Sequence, residues 1–273
     1  MIVITCVTNK DHAGYAKGLA ESCRYFGYQL ECLEHDGTWP GHRQKDLSLC
    51  KFLQAVPSNE IVLFTDGYDT VFVTSEAEII EKFSSRDVPV LFSAEINCFP
   101  YSAFSYLHKP CPSKFRYLNS GGFIGRAGDI LDLYQRFDAI EDSHRYLVDN
   151  NLRWSNQYRW MKMFLFTEGL IGLDTNCEIF QVFGTDLSVY DKIRKAPSEQ
   201  EKSMLRQNEI CRILDDFVIG DRIFNKQTGS HPCHLHFASH LLKNHMFSQE
   251  LAPCLPWTHS NLLSERSVPG QNA

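Results

Sequence analysis

The sequence predicts an α/β protein with a mostly parallel central sheet flanked by helices, and three stretches predict it. Residues 61–64 (Ile-Val-Leu-Phe) are four consecutive apolar side chains that run into Thr65 and then into two carboxylates, Asp66 and Asp69. Such a run suits a strand buried on both faces. Residues 2–33 read as strand, helix, strand, the opening of many nucleotide-binding α/β folds, and residues 88–94 form another buried strand that ends in Glu95. In open α/β sheets ligands bind beyond the carboxyl ends of the strands, where Asp66 would emerge.

The first strand, residues 2–7, leads into Thr8. Tyr15, Leu19, Cys23 and Phe26 then recur at helical spacing, Gly27 is the stop, and residues 28–33 form the second strand. No Gly-x-Gly-x-x-Gly is present, so a dinucleotide site is not expected. The loop 34–43 holds Trp39, suited either to packing or to stacking on a base. Gln44-Lys45 begins a helix with Leu49, Phe52, Leu53 and Val56 inward and Pro57 as terminator. After it, Asp66-Gly67-Tyr68-Asp69 is either a solvated turn or a metal site. Two carboxylates brought together by a turn at Gly67 repel unless a cation lies between them, and hard oxygen ligands suit Mg2+ or Mn2+.

Ser75 and Glu78 match a capping box, so a helix to Phe83 is expected, with Ile79 and Ile80 buried. Residues 97–114, rich in Pro and Cys, read as a long surface loop suited to substrate contacts. In residues 115–125 the paired Gly121 and Gly122 mark either a bulge or a close approach of a ligand to the backbone. Asp129 is expected to cap a helix with Leu133, Tyr134, Phe137 and Ile140 inward, and a second helix follows through Gln157, Trp160, Met161, Phe164 and Leu165. Residues 170–173, ending in Asp174, and 178–183 are strand candidates. Residues 186–212 read as an exposed charged insertion with some helix. Residues 217–224 and 233–237 are late strands, and alternation puts His234 and His236 on one face of the latter. The expected domain spans residues 1–245, with 246–273 as a tail that is draped or disordered.

Composition bounds the function. A net charge of −6 disfavours nucleic acid as a partner, although local lysines and a metal can still attract a phosphate-bearing ligand. Hydrophobic content of 43% with 22% charged residues is that of a folded globular chain. The ten cysteines are scattered with no Cys-x-x-Cys pair, which points to buried thiols in a reducing compartment. No signal peptide or membrane-spanning run is seen, and a cytoplasmic address is the expectation.

Taken in order, Val7-Thr8, Trp39 followed by Gln44-Lys45, Phe64 to Asp69, Phe92 to Glu95, Tyr117 to Gly125, Leu173-Asp174 with Ile179-Phe180-Gln181, and His236 resemble the glycosyltransferase domain of procollagen lysyl hydroxylases. The resemblance reaches roughly to residue 245, and Leu118 to Gly125 is its most specific part; more distantly the pattern is similar to glycogenin-type transferases. It implies a GT-A (Rossmann-like) fold and a Mn2+-dependent (or Mg2+-dependent) transferase that moves glucose or galactose from a UDP-sugar to a hydroxyl of a protein or glycan acceptor. Carried onto this chain, it implies that Asp66, Asp69 and His236 hold the metal. Thr8, Trp39, Lys45, Tyr68, Glu95, Ser120, Gly121 and Lys243 would serve the donor, and Asp174, Asn156 and Asn119 would be the catalytic group.

The chain departs from the family in three places. The family's acidic run ahead of a Gln reads Trp154-Ser155-Asn156-Gln157, the tryptophan beside the Cys-Pro step is Phe99, and Lys243 falls one place late for its phosphate contact. An amide at 156 can hydrogen-bond a hydroxyl but cannot act as a base. With no hydroxylase domain recognised, a stand-alone enzyme with an acceptor other than collagen is expected. Two alternatives stand beside this one: a non-catalytic nucleotide-sugar-binding protein of the same fold, and a zinc cluster drawn from His231, His234, His236, His240 and His245.

Overall fold

The computed structural model describes residues 1–137, 150–152 and 154–258. Its central sheet has six strands in the order β2-β1-β3-β6-β5-β7. These are β1 (Ile2–Val7), β2 (Gln29–Glu34), β3 (Ile61–Thr65), β5 (Val90–Glu95), β6 (Tyr117–Arg126) and β7 (Ile171–Asp174). β1 runs parallel to β2 and β3, and β5 parallel to β7, whereas β6 is antiparallel to both its neighbours. The sheet is therefore mostly parallel, as the apolar runs predict.

Both faces are covered, which is why these strands are continuously apolar. Val62 and Phe64 of β3 join one core cluster with Leu49, Phe92, Phe123 and Trp160, while Leu63 turns to a second with Leu19, Leu91 and Ile79. The first face is covered by α2 (Arg43–Leu53), α4 (Ala127–Gln135) and α5 (Asn156–Phe166). The second is covered by α1 (Ala20–Phe26), entered through the π-helical turn Gly14–Leu19, and by α3 (Glu76–Ser84). Gly27 ends α1 with φ of 75°, the left-handed conformation that glycine adopts without a Cβ penalty. The Phe64, Phe92 and Phe123 rings stack at 4.5–5.1 Å across the middle strands.

A second sheet, ordered β4-β11-β8, comprises β4 (Thr70–Phe72), β8 (Phe180–Val182) and β11 (His234–His236). Its seat on the first sheet explains the paired glycines. Between Phe92 and Ser93 of β5 the partner in β6 jumps from Phe123 to Asn119, so residues 120–122 bulge away from β5. A Cβ at Gly121 would lie 2.2 Å from His236 Cε1, and one at Gly122 would lie 3.0 Å from Phe180 Cδ1. The bulge is thus where β11 and β8 press against the central sheet.

Local signals were less faithful than the strand pattern. Helix α3 forms, yet Ser75 makes no capping bond; Thr74 Oγ1 donates to Glu78 instead, and Ile80 is only half-buried beside the buried Ile79. Asp129 lies in the first turn of α4 rather than at its cap, which is Arg126. Ile140 lies outside the described residues. The stretch read as an irregular insertion is a helical pair, α6 (Leu187–Lys195) and α7 (Glu199–Leu214), with Asp186 and Ser198 as side-chain caps. It is followed by the hairpin β9 (Phe217–Ile219) and β10 (Ile223–Asn225) and, after β11, by the short helix α8 (His240–Lys243). Residues 246–257 pack into a third core cluster, where Leu251, Cys254, Leu255 and Trp257 are at most 1% exposed. Residues 259–273, the rest of the expected tail, lie outside the described residues. All ten cysteines are free, and seven of them are buried.

Candidate active site

The site is built where β3 ends. Asp66 N donates to the Gly121 carbonyl at 2.9 Å, the chain turns, and β4 begins at Thr70. The register of β11 against β4 sets His236 opposite Thr70, and Phe237 N donates to the Asp69 carbonyl at 2.8 Å. That pairing brings an imidazole from late in the chain onto the two acids. His236 Nε2 lies 3.9 Å from Asp66 Oδ2 and 3.7 Å from Asp69 Oδ2. One ligand atom from each of Asp66, Asp69 and His236 lies within 4.8 Å of the others, the only group among the described residues that could hold a metal ion in this way.

Two lysines close on the cluster. Lys45 Nζ lies 2.5 Å from Asp66 Oδ1, and Lys243 Nζ lies 2.7 Å from Asp69 Oδ2. Burial by itself would raise the pKa of Asp69, but His236 and Lys243 outweigh it and hold the carboxyl well below the usual range. For His236 burial works downward, and the Asp69 and Asp66 charges reverse it, so its pKa is raised. The other inward histidine of β11 has a structural role. His234 Nε2 is 2.7 Å from Thr65 Oγ1, which in turn donates to Thr70 Oγ1, and burial lowers its pKa to about 3. It stays neutral and pins the turn between β3 and β4.

Beside the triad a buried polar network runs from β5 to α2. Glu95 Oε1 accepts from Asn119 Nδ2 at 3.0 Å and Gln157 Nε2 at 2.8 Å. Gln157 Oε1 accepts from Ser120 N, while Asn119 Oδ1 accepts from Gly121 N at 2.9 Å, tying the network to the bulge under His236. Asn156 Oδ1 is 3.4 Å from Ser120 Oγ, and Asn156 Nδ2 donates to Asp46 Oδ1, which also accepts from Trp160 Nε1 at 3.0 Å. Burial pushes the Glu95 carboxyl up to about 7 and Asp46 up to about 6, against the hydrogen bonds that favour their charged forms.

Among the remaining sequence-predicted residues, Thr8 and Tyr68 meet. Thr8 N and Asn9 N donate to Tyr68 Oη at 2.8 Å each, so the phenol holds the loop after β1. Trp39 is half-buried against the first core cluster, edge-on to His35 at 5.5 Å, and no contact ties it to the triad. Asp174 has another occupation. It is 1% exposed, and its carboxylate accepts from Glu178 N, Ile179 N and Phe180 N at 2.8–3.1 Å, fastening the loop into β8. Asp46 and Gln157 were not among the predicted site residues. The signal for Asp46 was present, because an aspartate at i with Leu49, Cys50 and Leu53 at i+3, i+4 and i+7 stands on the apolar stripe of α2.

The histidine cluster of the alternative zinc reading is not brought together. His231 Nδ1 faces the Ile223 carbonyl at 3.0 Å, His234 is bound to Thr65, and His245 Nε2 lies 3.6 Å from Glu250. Separate strands and helices hold these rings, and among the described residues only His236 joins a group that could hold a metal ion.

The family model for the PLOD GT domain matches residues 1–210. The chain belongs to the PLOD GT-domain family. Procollagen-lysine,2-oxoglutarate 5-dioxygenase 1 of Bos taurus is 30% identical over 192 residues, 66% of this chain and 25% of that protein. Uncharacterized protein R699 of Acanthamoeba polyphaga mimivirus is 28% identical over 198 residues, 72% of this chain and 35% of its own length. The chain thus spans about a quarter of the length of the hydroxylase relatives it matches. Among solved structures, the galactosyltransferase LgtC in complex with donor and acceptor sugar analogues aligns over 99% of this chain and 98% of its own, with a TM-score of 0.51 and 9% identity. At that identity the likeness is one of fold, and the fold is GT-A. In this PLOD GT-domain chain no helix of the described residues is long and apolar enough to cross a membrane.

Proposed function

We propose that the chain is a divalent-metal-dependent glycosyltransferase that takes a hexose, glucose or galactose, from a UDP-sugar and transfers it to a hydroxyl of a protein or glycan acceptor. The observation that carries this reading is the Asp66, Asp69, His236 cluster at the C-terminal end of β3. Two carboxylates and one imidazole are a donor set for Mn2+ or Mg2+. The site fits the ion in a second respect: His236 Nε2 faces the two acids, and Gly121 leaves the ring the room that a Cβ would fill. Bound there, the ion would supply Lewis-acid neutralisation of the diphosphate leaving group.

The chain's own residues have complementary tasks. Lys45 and Lys243, now paired with the acids, are within reach of an incoming diphosphate and add positive charge where the leaving group's negative charge builds. Tyr68 fixes the Thr8 loop on the nucleotide side, with Trp39 offering a ring to the base. Glu95, Asn119, Ser120, Gly121 and Asn156 form the polar floor that would take the sugar's hydroxyls, with Asn119 and Asn156 orienting rather than removing protons. Asp174 contributes by fastening β8, the strand paired with β11 that bears His236.

The test is thermal. UDP with Mn2+ should raise the melting temperature, and Asp69→Ala should abolish the rise while retaining a folded baseline. No shift in the unmodified protein would remove this reading. Asn156 in place of a carboxylate favours a second one, a nucleotide-sugar-binding protein without turnover. UDP release from UDP-glucose or UDP-galactose in the presence of Mn2+ separates the two, being measurable for the transferase and absent for the binder.

A further inference from the structure

A cleft of about 610 Å3 lies between α6, α7 and α8. Five of its lining side chains are basic or imidazole groups: Arg194, Lys202, Arg206, His240 and His245. None of the described residues that line it is acidic. The helices put them there by spacing. Lys202, Arg206 and Ile210 stand at i, i+4 and i+8 on one stripe of α7, facing Tyr190 and Arg194 at i and i+4 on α6.

The carboxylates that pair with these cations stand outside the cleft. Lys202 and Arg206 share Glu199, which is 77% exposed, Arg194 meets the half-exposed Asp191, and His245 meets the exposed Glu250. In each of these pairs the carboxylate is at least half exposed, and surface ion pairs are weak, so an anion seated in the cleft competes with them on favourable terms. Its floor is apolar, formed by the buried Ile193 and Ile210. The walls add an aromatic face at Tyr190 and a side-chain amide at Asn244. A ring for the apolar face of a pyranose, an amide for its hydroxyls and clustered cations for its charge together describe an acidic sugar.

The position of the cleft gives it a use. Helix α8 and the turn after it present three faces. Leu242 is fully buried in the third core cluster, Lys243 reaches Asp69, and His240, Leu241, Asn244 and His245 line the cleft. One helix, about 10 Å across, therefore separates the cleft from the metal triad. We propose that the cleft binds an acidic saccharide, bearing a uronate carboxylate or a sulfate ester, and that it is the acceptor side of the site. The acceptor role rests on the transferase reading, whereas binding does not.

Calorimetric titration of the full chain, without metal or nucleotide, tests the binding. The probes are a sulfated heparin disaccharide, an unsulfated glucuronate-containing disaccharide, lactose as the neutral control and hexaglutamate as the acidic peptide. The two acidic disaccharides should bind, with affinity that falls as salt rises, and their ranking tells sulfate from carboxylate. Substituting Lys202→Gln with Arg206→Gln should weaken them by about tenfold or more. Should that pair of substitutions unfold the protein, Arg194→Gln on the facing helix reads the same effect. Lactose binding as tightly as the acidic sugars, hexaglutamate binding more tightly than either, no binding at all, or an unchanged affinity in the folded variants would each overturn the proposal. In the acceptor arm, the saccharide that binds should raise UDP release from a UDP-hexose with Mn2+. Binding without that rise, where basal release is present, overturns the acceptor role alone. Binding with no release from any donor overturns the transferase reading and leaves the cleft standing.

Discussion

Glu95 is a carboxyl buried among amides, with Asn119 and Gln157 both donating to its Oε1. Burial moves its pKa from 4.5 to about 7. Between those values the folded protein holds a proton that the unfolded chain has released, so this group's contribution to stability falls as pH rises through the window. The full effect is on the order of 3 kcal/mol. His234, held neutral with a pKa of about 3, acts in the opposite sense, because the unfolded imidazole gains a proton below its ordinary value of 6.5. The difference between Glu95→Gln and the unmodified protein isolates the carboxyl, since the amide oxygen can still accept both donors. Urea unfolding without metal should find the variant gaining on the parent by about 2–3 kcal/mol between pH 5 and pH 8. A constant difference would mean that Glu95 is ionised throughout.

At the scale of elements, the site depends on how β8 and β11 are held. Asp174 fastens the loop before β8 through three backbone amides, and β8 pairs with β11 at Phe180 to His234 and Val182 to His236. Asp174→Ala leaves those amides without a partner, offset in part by removing a buried carboxyl whose pKa burial raises. A loss of about 2 kcal/mol in chemical denaturation is expected, with a weaker melting response to UDP and Mn2+ as His236 loses support. If the variant keeps full stability and full nucleotide response but loses UDP release, the carboxylate acts on the substrate instead. Helix α2 shows the same coupling, because Lys45 reaches the triad while its neighbour Asp46 anchors Asn156 and Trp160.

Across the whole molecule, the described residues form five apolar clusters, of which two cover the faces of the central sheet and a third lies beneath α7, β11 and α8. The third is completed by residues 246–257. Trp257 is 1% exposed, and its Nε1 donates to the Lys17 carbonyl at 3.2 Å, joining the late chain to the first helical segment. Trp257→Ala should therefore cost about 3–5 kcal/mol, read as a lower urea midpoint. A loss below about 1 kcal/mol would mean that the segment only rests on the surface.

The composition of Pro, Ser and Asn after Phe247 hid that packing, because the apolar residues among them follow no helical or strand period. The strands read at 2–7, 61–64 and 88–94 were legible because burial on both faces leaves an apolar run that needs no partner to be recognised. Asp66 and Asp69 were legible for a similar reason, being close in sequence and separated by a glycine turn. His236 came from family likeness alone, since in sequence it is one of several histidines and only the register of β11 against β4 sets it on the acids. The network of Asp46, Asn156, Gln157 and Glu95 joins three elements through hydrogen bonds that leave no periodic trace. Apolar runs thus determined the central strands, and closeness in sequence brought out the carboxylate pair, while tertiary structure decided which side chains converge on them, because contacts between distant segments follow from strand order and packing rather than spacing along the chain.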